Sequence, residues 1–160
     1  MTHPSLQTHS YAKSIVARLV LAFALAPSST LGAATTGRST PASLTVTFQG
    51  LKTVSGTVRV SLSRDPEGFA GKATAADQAA ITVTGPTATA TFVGLKPGTY
   101  AIRAFHDLNG DGKLNANAFG IPIEPYAFSN NAHGSMGPPS WSAAAFQVRS
   151  GANGQTIDID

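Results

Sequence analysis

From Leu44 onward the chain alternates apolar and polar residues with period two. Leu44, Val46 and Phe48 stand against Thr45, Thr47 and Gln49, and Val58, Val60 and Leu62 stand against Thr57, Arg59 and Ser61. Such alternation predicts strands with one buried face. Gly50 to Gly56 reads as a hairpin connection between them. Asp65-Pro66-Glu67-Gly68-Phe69 interrupts the pattern, and Lys72 to Ala80 reads as a loop or one short helix. Strand patterns return at Ala80 to Thr84 and Ala88 to Val93, with Gly85-Pro86 between them. Leu95-Lys96-Pro97-Gly98-Thr99-Tyr100 turns into a strand with Tyr100, Ile102 and Ala104 on one face and Arg103 and Phe105 on the other. Ala144 to Arg149 and Thr156 to Ile159 supply the last two. About seven short strands separated by turn residues predict an all-β, single antiparallel sandwich over residues 43–160. Val46, Phe48, Val58, Val60, Tyr100, Ile102, Phe146 and Val148 are its expected core.

One stretch resists this pattern. Asp107 to Trp141 is rich in Gly, Pro and Asn and is too long for an ordinary connection. It opens with Asp107, Asn109 and Asp111 at alternate positions, followed by Gly112. Short oxygen-bearing side chains at that spacing can fold around one cation, with a Gly for the sharp turn and the Lys113 carbonyl as a further ligand. At position twelve, counting Asp107 as the first, where a helix–loop–helix calcium site needs a Glu, stands Ala118. The expectation is therefore a calcium-stapled loop on a β-domain, with Glu124, Asn115, Asn117 or water completing the shell. The alternative is an Asx-rich turn held by its own hydrogen bonds.

The N-terminus changes the electrostatic picture. Residues 1–33 carry Lys13, Arg18 and an apolar run from Leu19 to Ala26, followed by Pro27 and small residues up to Ala33. The run is far shorter than the roughly 20 residues of a membrane span, so the segment reads as an export signal cleaved after Ala33 or Ala34. Residues 34–42 read as a flexible lead-in. Of 11 Lys and Arg, nine remain beyond the signal against eight acids, so the basic character nearly vanishes. With no basic cluster, a nucleic-acid partner is not expected. The absence of Cys excludes both disulfides and a lipid-modified Cys anchor, leaving a packed core to stabilise a periplasmic or extracellular domain.

Gly98-Thr99-Tyr100-Ala101-Ile102, Phe105-His106-Asp107-Leu108-Asn109-Gly110-Asp111-Gly112-Lys113-Leu114, Gly120-Ile121-Pro122-Ile123-Glu124-Pro125-Tyr126-Ala127-Phe128-Ser129-Asn130-Asn131 and Gly137-Pro138-Pro139 are linked motifs. Together they resemble the bacterial domain of unknown function 2141 family, small exported proteins. The resemblance implies an Ig-like or transthyretin-like sandwich and no established activity. Asn115 stands where the family often carries Asp, and Ala127 where Gly is common. Leu-x-Pro-Gly-x-Tyr is also similar to the strand start of carboxypeptidase-regulatory and collagen-adhesin B-type domains, where the Tyr is mostly structural. The Tyr-Arg-Gly-Ser ending of transthyretin-like hydrolases is missing, since the chain closes Thr156-Ile157-Asp158-Ile159-Asp160.

Three candidate constellations follow. Asp107, Asn109, Asp111, Lys113 and Glu124 form the calcium set. His106 and His133, with Asp107 and Glu124, would form the site of a metal-dependent hydrolase, although no paired-His spacing supports it. Tyr126, Phe128 and Trp141 form either a platform for a carbohydrate or protein ligand or a small core pinning the loop. Asn130 and Asn131 are expected to satisfy backbone groups in turns. The reading is an exported, monomeric, non-catalytic binding or accessory module; a purely structural envelope protein is the remaining alternative.

Overall fold

The computed structural model describes residues 40–160. The signal-like segment and most of the lead-in lie outside the described residues. Eight strands form two sheets. The first sheet has the order β4-β1-β8 and the second β3-β2-β5-β6, where β1 is Ala42–Gln49, β2 Thr57–Ser63, β3 Asp77–Thr82, β4 Ala88–Leu95, β5 Gly98–Asp107, β6 Tyr126–Phe128 and β8 Gly151–Asp158. The remaining strand, β7 (Phe146–Val148), pairs with β5.

One core lies between the sheets. Leu44, Val46 and Phe48 of β1, Ala90 and Phe92 of β4 and Ile157 of β8 meet Val58, Val60 and Leu62 of β2 and Tyr100, Ile102 and Ala104 of β5. The period-two faces thus fall as expected, with Phe146 only partly buried at the margin. Tyr100 is enclosed, and its hydroxyl donates to the Lys96 carbonyl at 2.8 Å. That bond ties the strand back to the turn from which it emerges, a corner familiar in sandwich folds.

The structure corrects several sequence expectations. Gly50 to Gly56 is no hairpin, since β1 and β2 belong to different sheets. All pairings are antiparallel except β1 with β8, which runs parallel over the full length of β1. β8 begins at Gly151, five residues before its apolar signal, because the backbone of β1 pairs it whatever the side chains are. β3 starts at Asp77 rather than Ala80, and the short helix lies earlier, at α1, Pro66–Phe69. Its cause is local: the Asp65 side chain accepts the Gly68 N–H at 2.8 Å, and Pro66 takes the first turn, where its missing N–H is harmless.

The added strand β6 lies on the outer edge of β5. It pairs with Arg103 to Phe105 while β7 pairs with Gly98 to Tyr100, so two short strands share one edge end to end. Between them, the Ile102 N–H would be buried without a partner, and Ser129 Oγ accepts it at 2.9 Å while donating to the Ala144 carbonyl at 2.6 Å. Asn130 and Asn131, both at positive φ, behave as the turn residues expected of them. The Asn130 amide donates to the Ala143 and Ala145 carbonyls, and Asn131 bonds Asp158 with both ends of its amide. A second, smaller core forms on the outer face of this sheet from Phe69, Ala101, Phe128 and Ala144, flanked by Trp141 at the start of helix α2 (Trp141–Ala144).

Ile102 tests this architecture, because its side chain fills the main core while its backbone holds the edge. Ile102→Ala should cost about 2–4 kcal/mol in a chemical unfolding measurement. An unchanged midpoint would contradict the assignment of the β5 inner face.

Candidate functional site

The excursion after β5 is organised by carboxylates. Asp107 occupies the outer face of β5 at its last position, yet its side chain is completely buried because the loop closes over it. Oδ1 accepts the Gly110 N–H at 2.7 Å; Oδ2 accepts the Gly112 N–H at 2.9 Å and Arg59 Nε at 2.6 Å. The Arg59 hydrogen bond holds the Asp107 carboxyl below the ordinary carboxylate range; burial opposes this, and the Gly112 and Gly110 N–H bonds reinforce it. Gly56 lets the neighbouring loop approach, since its φ is +78° and a Cβ there would fall 2.4 Å from the Asp107 carbonyl oxygen.

Glu124 closes the loop from its far side. Although it belongs to the excursion, it is almost fully buried, with Oε1 accepting the Leu108 N–H and Oε2 the Asn115 N–H, both at 2.9 Å. A single carboxylate thereby ties together both ends of the segment from 108 to 115. Inside that segment, Asn109 Oδ1 accepts the Asp111 N–H and Asp111 Oδ1 accepts the Lys113 N–H. The Asn109 and Asn115 amides donate to Asp111 Oδ2 at 3.3 and 2.9 Å. Asp111 is likewise held below its ordinary pKa, first by Asn115 and then by the Lys113 N–H. Asn117 belongs elsewhere: its Oδ1 caps a hairpin turn by accepting the Phe119 and Ile121 N–H groups.

The five residues of the calcium set therefore meet in one loop, with Asp107 and Glu124 as buried clamps and Asn109, Asp111 and Lys113 at an exposed corner. The hydrolase set is not brought together. His106 points inward, its Nε2 2.6 Å from the Ser55 carbonyl oxygen, and His133 lines a separate groove with Asp158 and Asp160. Among the described residues, no three His, Cys, Asp or Glu side chains converge on a metal-sized point. Of the aromatic trio, Phe128 and Trp141 each pack edge-on against Phe69 at 5.9 Å in the small outer core. Tyr126 packs edge-on against Phe128 but keeps an exposed face.

That exposed face borders a cleft missed by sequence reasoning. Its floor is the outer face of the second sheet, and its cavity measures about 610 Å³. Arg59 and Ser61 of β2, Gln78 and Ala80 of β3 and Arg103 and Phe105 of β5 form the floor; Leu114, Tyr126 and Pro138 of the excursion form one wall. The available signal was Arg59, Ser61, Arg103 and Phe105 on the polar side of two alternating strands, a pattern ordinarily satisfied by solvent. Also unforeseen is the exposure of Phe119, Ile121 and Ile123 on the hairpin closed by the Ala116–Pro122 bridge.

A two-sheet β-domain with a carboxylate-clamped excursion is the class these observations define. Residues 46–156 match the family described as uncharacterized protein conserved in bacteria (DUF2141), and the chain belongs to that family. No curated protein and no solved structure matches it. Among the described residues no helix is long and apolar enough to cross a membrane.

Two measurements check the clamps. In Glu124→Gln one acceptor becomes an NH2 group facing an N–H, so stability should fall by about 1–3 kcal/mol. Amide exchange should accelerate at Leu108 or Asn115 while the β2 and β5 amides stay protected; unchanged exchange at both loop amides would refute the cap. The second measurement is acid unfolding. Because the folded-state pKa of Asp107 is depressed, its stabilisation is fully present above the ordinary carboxylate value of about 4 and is lost as pH falls through the lower folded value. Arg59→Met removes the main cause of that depression, so its acid-unfolding limb should move to higher pH. Superimposable acid limbs for the two proteins would mean that Arg59 does not hold Asp107.

Proposed function

We propose that this chain is an exported, non-catalytic binding or accessory module of the Ig-like or transthyretin-like sandwich type. The observation that carries the reading is that all four oxygens of Asp107 and Glu124 accept backbone N–H groups of their own loop. A general acid or base must be free to exchange a proton with a substrate, directly or through one water. These two carboxylates are instead fixed as acceptors, a role that shapes a surface. The enclosed core, the Tyr100 corner and the cleft above the second sheet fit a rigid scaffold presenting a binding face.

A calcium ion is the proposed additional staple of the loop. Its support is the exposed corner where Asp111 Oδ2 faces the Asn109 and Asn115 amides, next to the buried Asp107. Rotated amides would offer oxygens beside Asp111 and the Lys113 carbonyl, with water completing the shell of a hard cation. Glu124 supports the site from behind as a backbone cap.

Thermal melting in millimolar calcium and in chelator tests the staple. Binding to the native state alone should stabilise by about 2.7 kcal/mol at a hundredfold excess over Kd, and Asp111→Ala should remove the increment while leaving the sheets folded. Identical melting in both buffers would eliminate calcium and leave the hydrogen-bonded loop standing by itself. The non-catalytic reading is tested separately through Glu124→Gln, whose effect should be on loop exchange. A variant with a native loop that had lost turnover of some substrate would make the protein an enzyme.

A further inference from the structure

Arg103 is a charge that the fold places but does not use. It leaves the middle of β5 on the outer face, with Ser61 opposite on β2 and Phe128 opposite on β6. It is half-buried and forms no ion pair among the described residues. Desolvation by that burial lowers its pKa. The guanidinium runs beneath Gly71, where φ is +75° and a Cβ would lie 2.9 Å from Nη1. A side chain there would strain the backbone and shift the guanidinium, the flexible end of Arg103. Beside it, Ser61 Oγ is buried without a hydrogen-bond partner. A half-desolvated cation carries a free-energy cost that an anionic ligand would relieve. Arg103 and Ser61 line the 610 Å³ cleft, with Phe105 beside them on the floor and Tyr126 and Leu114 on the wall.

We propose that this cleft binds a small monocarboxylate with an aromatic or aliphatic body, its carboxylate on Arg103 and its body against Phe105, Tyr126 and Leu114. The charge count selects a monoanion. Arg59, the other guanidinium of the cleft, is neutralised by Asp107, which leaves Arg103 as the uncompensated cation on the floor. A planar guanidinium fork matches a planar carboxylate with two parallel hydrogen bonds. The apolar wall excludes water from one side of that contact and strengthens it. The inference rests on the binding-module reading and adds the chemical class of its ligand.

The test is an NMR titration of the full chain with phenylacetate and hexanoate, each beside its uncharged primary amide. Saturable shifts should appear at Arg103, Ser61 and Tyr126 with at least one acid, and the matching amide should bind at least about tenfold more weakly. Arg103→Gln should abolish the response, and Arg103→Lys, which keeps the charge without the fork, should retain only part of it. Gly71→Ala should weaken binding by displacing the guanidinium, and it serves as the decisive variant if Arg103→Gln fails to fold. Equal binding of acid and amide, no saturable shift with either acid, or affinity unchanged in the folded variants would overturn the proposal. None of these results would alter the loop-exchange response of Glu124→Gln, so failure of the ligand class stays separable from failure of the non-catalytic reading.

Discussion

The carboxylate of Asp107 lies where β5 ends and the long excursion begins, and both sides of the boundary depend on it. A buried carboxylate is tolerable only when its charge and lone pairs are met. Here Gly110, Gly112 and Arg59 meet them together, so satisfying the acid forces the loop back over the strand it has just left. The same contact fixes Arg59, whose guanidinium carbon would stand 3.5 Å from a Cβ at Gly112. One carboxylate thereby sets the start of the loop, neutralises one cation of the cleft and brings Gly112 and Leu114 to its rim. Glu124 extends the arrangement by joining Leu108 to Asn115, which turns an irregular segment into a closed unit.

β5 is the strand through which the rest communicates, because both of its faces are covered. Its inner row, Tyr100, Ile102, Ala104 and His106, lies against the core and the 50–56 loop. Its outer row is graded along the strand: Ala101 under the small aromatic core, Arg103 and Phe105 in the cleft, Asp107 under the loop. The polar side of an alternating strand normally faces solvent. Here the excursion supplies a partial third layer above it, anchored at one end by carboxylates and at the other by Phe128 and Trp141.

What was legible in the sequence is what local pattern determines. The core faces of Val46, Val58, Tyr100 and Ile102 follow from alternation, and the turn roles of Asn130 and Asn131 follow from their side-chain chemistry. The hydrogen-bonded, Asx-rich turn of Asn109 and Asp111 was one of the two readings of their alternate spacing. The rest depends on partners distant along the chain. Gly151 to Gln155 carries no apolar alternation and becomes strand only because β1 offers an edge. Ser129 gains its role from a gap between two short strands, which no local pattern encodes. Arg103 looks like a solvated residue until the Gly71 loop and the excursion enclose it. α1 and α2 were locally legible and overlooked, since Asp65-Pro66 and Ser140 are helix starts.

The proposed binding role draws on the same arrangement. The ends of the excursion are held by buried bonds, whereas its hairpin presents Phe119, Ile121 and Ile123 to solvent. Stability is thus concentrated near Asp107, Glu124 and Phe128, which flank the cleft on the excursion side. A wall fixed at those points holds Tyr126 and Leu114 in place before any ligand arrives, and preorganisation lowers the entropy cost of binding. Opposite that wall lies Arg103, whose half-buried charge is without a carboxylate among the described residues. Rigid apolar groups on one side and an uncompensated cation on the other are what the proposed binding role needs, and the acids nearest to the cleft spend all four oxygens on the backbone of their own loop.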